Sequence, residues 1–344
     1  MDKQKRILVF ELNWLGDILF SFPFLRALRN RYPDAYIACV VVPRYADLLE
    51  YNPWINDVHF LRDDNKLSSL KEKLYFVMMV KREEYDTCFF LKPSRTKAVM
   101  ARLCGIPRRI GFAGKKSPLT DTVEMPEGEK VHRADQILAL AGAVGVSRAD
   151  GTYRYFNGEE HEEKAEAVLR EAGGKARRIV VLNPGGNWGP KRWPEERFTR
   201  LAEMLLQRFS DIEIVITGSG KDTGLAERIV SSVPSERCYT VAGRTGLNEL
   251  AAIFRKSALV VSADSGPLHL ASASGATTIG LFGPTSPFMT GPRGAGINVV
   301  ISKPGDCEVP CYEEECPKGY ECMKAITSEE VFGASEKLLR PGRI

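Results

Sequence analysis

Short apolar runs alternate with helix-period segments from the first residues of the chain. "RILVFEL" reads as a buried strand, and "DILFSFPFLRALRNRYP" behind it repeats Ile18, Phe22, Leu25 and Leu28 at helical spacing until Tyr32-Pro33 ends it. "AYIACVVV" is a second strand, "YADLLEYNP" a short helix and "DVHFL" a third strand, in β-α-β-α-β order. Connections this short predict parallel strands with helices on both faces. "YDTCFFL", a helix around "TKAVMARLCG" and "RRIGF" continue the series. From about Asp121 the order weakens. After the helical "RADQILALAGAVG", the stretch "SRADGTYRYFNGEEHEEKAEAVLREAGGK" mixes glycine with charge, which places a link between domains near Thr152 to Gly158. A second strand-helix series starts at "RRIVVLNPGG" and runs through "WPEERFTRLAEMLLQRF", "IEIVITGSG", "LAERIVSSV", "CYTVAG", "LNELAAIFRKS" and "ALVVSAD". The pattern predicts two similar α/β halves.

In open parallel sheets ligands bind beyond the carboxyl ends of the strands, where helix N-termini present free N–H groups and a partial positive charge. Four strand ends here carry glycines or small polar residues ahead of a helix. Asn13-Trp14-Leu15-Gly16-Asp17 closes the first strand; Asp17 is either an N-cap or a general base for an incoming hydroxyl. In "NPGGNWGPKRWPEERF" the glycines admit a ligand to the backbone, Lys191 supplies a point charge suited to phosphate or is a solvated surface lysine, and Pro194 begins a helix. "TGSGKDTGLAE" sets Asp222 at a helix start, where it either caps the helix or accepts from ribose hydroxyls. The fourth turn, "SADSGPLHLASASG", offers the Ser265 and Gly266 amides after Asp264, a short helix ended by Gly275, and His269 one turn in, read as a packed histidine or a phosphate or sugar contact. Such a turn suits a diphosphate. No GxGxxG fingerprint occurs at the first strand end, which counts against a nicotinamide dehydrogenase.

A chain of 344 residues, 44% of them hydrophobic, is long enough for two cores. Its net charge of +4 is too small to argue for nucleic acid. The charge is unevenly spread. Between Asp86 and Asp121 there is no acid, while Lys92, Arg95, Lys97, Arg102, Arg108, Arg109, Lys115 and Lys116 are basic, which fits a solvated surface or a face meeting an anionic acceptor or phospholipid. The amino-terminal stretch does not read as a secretory signal, and no apolar run reaches the ~18 residues that span a bilayer. Cys307, Cys311, Cys316 and Cys322 crowd one stretch. Their spacing differs from a paired C-x2-C zinc ribbon, leaving a structural metal site, disulfides and free thiols as readings.

Taken together, "ELNWLGDILFSFPFLRALRNRYP", "NPGGNWGPKRWPEERF", "ITGSGKDTGLAE" and "SADSGPLHLASASGATTIGLFGPTSP" resemble glycosyltransferase family 9, the ADP-heptose:lipopolysaccharide heptosyltransferases, over about Arg6 to Met323. The tail "CPKGYECM" is similar to that of second-heptose-type members. The resemblance implies a GT-B fold of two Rossmann-like domains facing across a cleft: 1–155 for the acceptor, 156–326 for the nucleotide-sugar, and a C-terminal helix, 327–344, crossing back to the first domain. It further implies Asp17 as catalytic base, Lys191 against the donor diphosphate, Asp222 on the ribose, and Asp264, Ser265, Gly266 and His269 on the diphospho-sugar. Gly186, Asn187 and Thr245 fall at donor positions, although heptosyltransferase I proteins carry two threonines at Gly186-Asn187, so the heptose I and heptose II steps both stay open. Arg95, Arg108 and Arg109 are candidates for the acceptor. The implied reaction is inverting transfer of heptose from ADP-heptose to a Kdo-lipid A based inner core, by a cytoplasmic protein peripheral to the anionic inner membrane. With no Asp-x-Asp pair in a suitable turn, no cofactor is expected for catalysis. The residues alone also admit a GT-B enzyme for another nucleotide-sugar or a non-catalytic nucleotide-sugar-binding protein.

Overall fold

The computed structural model describes residues 4–62, 69–114, 118–128, 130–147, 149–175, 178–311, 313 and 315–340. Lys115 and Lys116 of the acid-free segment lie outside them. The chain divides into two compact units, Met1–Phe156 and Asn157–Ile344.

The first unit is a parallel six-stranded sheet of β1 (Arg6–Phe10), β2 (Tyr36–Val41), β3 (Asp57–Phe60), β4 (Thr87–Phe90), β5 (Arg108–Phe112) and β6 (Asp121–Val123), in spatial order β3-β2-β1-β4-β5-β6. Its helices are α1 (Leu15–Arg31), α2 (Ser69–Arg82), α3 (Arg95–Leu103) and α4 (Arg133–Leu138). The helical repeat of α1 has its expected purpose: Ile18, Phe22, Leu25 and Leu28 are fully buried. The "YADLLEYNP" helix is a 3₁₀ segment, Pro43–Leu48, and α2 was not legible as an element because its apolar residues surround it rather than forming one stripe.

The second unit repeats the plan. After α5 (Glu160–Glu171) come β7 (Arg178–Asn183), α6 (Glu195–Arg208), β8 (Ile212–Ile216), α7 (Thr223–Ser232), β9 (Cys238–Thr240), α8 (Leu247–Lys256), β10 (Leu259–Ala263), α9 (Gly266–Ala273), β11 (Thr278–Phe282), α10 (Pro287–Thr290), β12 (Asn298–Ser302), α11 (Glu321–Lys324) and α12 (Ser328–Leu339). The parallel sheet order β12-β11-β10-β7-β8-β9 is, counted from each unit's first strand, the order of the first sheet. The helix expected to cross back to the first domain, α12, packs on α6, with Val331 and Leu339 buried in the second unit's core, Ser328 Oγ donating to Arg197 O at 3.0 Å and Arg208 paired with Glu336 at 2.6 Å.

At the carboxyl end of β1, Glu11 is 2% exposed. Ser21 Oγ on α1 donates to its Oε1 at 3.0 Å, and the Leu12 amide to Oε2 at 3.4 Å, which ties the start of α1 to the strand before it. Burial pushes the Glu11 carboxyl up to about 7, against the lowering effect of these hydrogen bonds and of Lys97. The folded state therefore keeps a proton that the unfolded chain releases near its ordinary value, so this contribution to stability is full below about pH 4.5 and is lost as pH rises through 7. Glu11→Gln, which has no ionisation to resist, is expected to melt like the wild type near pH 4 and to gain up to about 3 kcal/mol over it above pH 7. Thermal denaturation across that range checks this; a gap of constant size would refute it.

Candidate active site

The strand order of the second unit reverses between β7 and β10, which places the ends of these two strands side by side at the crevice where open α/β sheets take ligands. A buried polar residue sits on the end of each strand there. Thr217 Oγ1 donates to Asn183 Oδ1 at 3.1 Å, Asn183 Nδ2 to Ser262 Oγ at 3.3 Å, and Ser262 Oγ lies 3.1 Å from Ser265 Oγ. This ladder stitches β8, β7 and β10 to the start of α9. The motifs along the chain do not reveal it, although Asn183, Thr217 and Ser262 are polar residues at or beside the ends of mainly apolar strands.

Asp264 follows β10 and is 2% exposed. Lys191 Nζ donates to its Oδ2 at 2.7 Å, Thr290 Oγ1 to the same oxygen at 3.3 Å, and His269 Nε2 lies 3.2 Å from Oδ1. A carboxylate only accepts, so His269 Nε2 carries the hydrogen. Burial works against ionisation of Asp264, but the His269 hydrogen bond and the Lys191 charge outweigh it and hold the carboxyl well below the usual range. These bonds let Asp264 fix the direction of Lys191 and His269. Lys191, a quarter exposed, keeps further N–H donors and stands 5.5 Å above the Trp188 ring. Beside it Ser265, Gly266 and Pro267 are half-buried, and Ser265 caps α9 without a side-chain hydrogen bond, so the first-turn amides are not closed off by their own cap. His269 is buried, which fits its packed reading and its bond to Asp264.

The glycine-rich loop after β7 divides its labour. A Cβ on Gly185 would stand 2.7 Å from the Asp222 carboxyl, so glycine there is a steric requirement, whereas nothing lies within 4 Å of the same position on Gly186. Arg192 Nε and Nη2 donate to Gly186 O at 2.9 and 2.6 Å and pin the loop. Asn187 is exposed and Thr245 half-buried in the turn before α8. Asp222 Oδ2 accepts from Ser219 N at 2.9 Å and Ser219 Oγ at 2.6 Å in a capping box, the helix-start reading of that acid. It also lines a hollow of about 590 Å³ with Arg192, Lys221 and Tyr320. Pro194 is the residue before α6 rather than its first helical position.

In the first unit Asp17 is the third residue of α1, and the N-cap position that the sequence suggested for it belongs to Trp14. The loop before it is held by Arg44, which donates to Asn13 O at 3.1 Å and covers the Trp14 ring at 5.3 Å. Arg95 opens α3 and lines a hollow of about 150 Å³ at the carboxyl ends of β4 and β5. Arg108 and Arg109 are elsewhere. They begin β5, at the opposite sheet edge, and their guanidinium groups serve the fold: Arg108 binds Asp121 Oδ1 at 2.9 Å and Ala143 O, and Arg109 binds the Ile106, Pro107 and Pro118 carbonyls. Both leave the acceptor-binding set on this geometry.

All eight cysteines are free thiols. Cys322, on α11, is buried against Gly283, while Cys307, Cys311 and Cys316 are half-buried on the segment before it. Burial pushes the Cys322 thiol up, and the nearby Cys316 and Cys307 thiols add to this. Among the described residues no three His, Cys, Asp or Glu side chains are placed to hold an ion, so the metal reading of the four cysteines finds no assembled ligand set.

Two doubly wound sheets of one strand order, each with its own core, define the class of this chain as a two-domain α/β protein of GT-B type. It aligns with the structure of Escherichia coli ADP-heptose lps heptosyltransferase II at a TM-score of 0.81 and 24% identity, over 97% of this chain and 98% of that one. The glycosyl transferase family 9 structure from Veillonella parvula aligns at 0.85 and 25% identity, over 98% of each. Among curated proteins, lipooligosaccharide heptosyltransferase 2 of Haemophilus influenzae is 29% identical over 83% of this chain and 85% of its own, and lipopolysaccharide heptosyltransferase 2 of E. coli 26% identical over the same shares. The profile of glycosyltransferase family 9 (heptosyltransferase) matches residues 75–320, and the chain belongs to that family.

The depressed Asp264 carboxyl stabilises the fold above its unfolded value of 3.8, and this contribution fades as pH falls towards the folded value. Asp264→Asn is therefore expected to lose about 2 kcal/mol near neutrality, by stripping the counter-charge from Lys191, with a gap to wild type that narrows below about pH 4. Melting curves over that range test the assignment; a gap that persists into acid would overturn it.

Proposed function

We propose that the chain is an inverting heptosyltransferase that moves heptose from ADP-heptose to the Kdo-lipid A based inner core of lipopolysaccharide, at the second-heptose step that the curated relatives' names favour. The observation that carries the reading is the Lys191 ammonium, braced by a buried carboxylate beside the uncapped start of α9 at the strand-order reversal. Transfer breaks the bond between the anomeric carbon and the diphosphate oxygen, so negative charge grows on the departing ADP. Lys191 and the Ser265-Gly266 amides are preorganised donors for that charge. Asp222 is the candidate for the ribose and Gly186, Asn187 and Thr245 for the rest of the donor. Asp17 takes the proton of the acceptor hydroxyl as its oxygen attacks the anomeric carbon from the face opposite ADP. Arg95 is the remaining candidate for the acceptor's anionic groups. With Lys191 and the amides taking the leaving group's charge, the transfer is proposed to need no divalent ion. The protein is proposed to work in the cytoplasm, peripheral to an anionic membrane, with no nucleic-acid partner.

Incubation with ADP-heptose and truncated core acceptors, followed by mass measurement of the products, tests the reading directly; the absence of a heptose-sized mass gain would sink it. Asp17→Asn should leave ADP affinity within about twofold and reduce kcat by at least about a hundredfold. Lys191→Ala should instead weaken ADP binding by about tenfold or more, read by calorimetry. Chelation with EDTA is expected to leave turnover unchanged.

A further inference from the structure

The helices α2 and α3 pack side by side on one face of the first sheet and share its core: Phe76 and Val80 of α2 are buried with Ala98, Ala101 and Cys104. Their outward faces are unusual. On α2, Leu70, Leu74 and Met78 form an i, i+4, i+8 line and are each more than half exposed, with Tyr75 at 63% beside them. On α3, Val99 and Leu103 are also exposed, about one and two turns after Arg95. Scattered apolar residues on a protein surface need no explanation, but a row of long ones on two adjacent helices does.

Cations are interleaved with this surface. Lys71, Lys81 and Arg82 on α2 and Arg95 and Arg102 on α3 are all exposed. Glu72 is the single acid of α2 and is drawn to Arg62 at 3.6 Å; α3 has none. Beyond α2, Glu83 is paired with Arg6, leaving Glu84 as the other acid at that helix end. Apolar side chains that reach outward among exposed lysines and arginines, with few acids nearby, complement a surface that is anionic at its face and hydrocarbon beneath it. A partner that offered acidic groups alone would match the cations and leave the leucine and methionine row uncovered.

We infer that the outward face of α2 and α3 is the surface by which this protein docks on an anionic phospholipid bilayer, inserting Leu70, Leu74, Tyr75 and Met78 at the headgroup boundary while the flanking cations meet lipid phosphates. The inference deepens the peripheral-membrane part of the proposed function and moves the contact away from Arg108 and Arg109, whose guanidinium groups are occupied within the fold. It does not depend on the identity of the transferred sugar.

The test is flotation of the full chain with vesicles of phosphatidylethanolamine and phosphatidylglycerol at low and high salt. The wild type should float at low salt and be partly released at high salt. Leu74→Glu with Met78→Glu should lower vesicle affinity at least about tenfold at either salt, and Lys81→Glu with Arg82→Glu should lose it chiefly at low salt. Because the four positions are exposed, both variants should keep the wild-type melting temperature and ADP affinity, and should act normally on a delipidated, water-soluble acceptor. A wild type that stays with the soluble fraction would overturn peripheral attachment altogether. A wild type that floats while both variants float equally would overturn only this surface. Light scattering that finds a dimer split by Leu74→Glu with Met78→Glu, without vesicle binding, would assign the face to self-association and also overturn the inference.

Discussion

A single buried carboxylate organises the second unit's ligand edge. Asp264 is almost without solvent, and its ionised form persists because hydrogen bonds from Lys191, His269 and Thr290 offset the cost of burial. Each partner comes from a different piece of chain: the loop after β7, the first turns of α9 and the short α10. Ionising Asp264 therefore fixes three segments around one point. In the proposed transfer, the ammonium stands at the strand-order reversal with its direction already set, so its remaining donors need little reorganisation as charge develops on the leaving group.

The ladder from Thr217 through Asn183 and Ser262 to Ser265 does the complementary work on the sheet. Buried polar groups in strands are costly unless paired, and here they are paired with one another across three strand ends. They hold the start of α9 in register with the loop after β7. Gly185 and Gly218 make room for Asp222 at the next strand end, so the same edge accommodates a capping box without displacing the loop. In the first unit Glu11 holds α1 by Ser21 in an analogous position, one turn beyond Asp17 on that helix. Both sheets thus use a buried acid at the carboxyl end of a central strand to place a helix start, though by opposite electrostatics. Asp264 is held ionised by donors and a cation, whereas burial dominates at Glu11 and favours its protonated form.

The outer faces follow different rules. Arg108 and Arg109, which look like a free basic pair along the chain, are consumed by Asp121 and by loop carbonyls around β5 and β6. Along α2 the reverse occurs. A run that reads as one more apolar stretch becomes a helix with Phe76 and Val80 inside and Leu74 and Met78 outside. Charge and hydrophobicity in a segment do not report their own accessibility; the neighbours that cover or satisfy them decide it.

The sequence by itself determined the alternation of strands and helices, the two similar halves, the placement of Lys191, Asp222 and Asp264 at strand ends, and the short helix after Asp264, because these rest on local periodicity and turn chemistry. It could not show that Asp264 meets Lys191, 73 positions away, at 2.7 Å, because that depends on the fold. Nor could it show that α12 packs on α6 or which side of α2 faces outward. Those outcomes belong to tertiary structure for one physical reason: burial and donor saturation are set by groups distant along the chain, and they decide whether a charge is spent on the fold or left for a ligand.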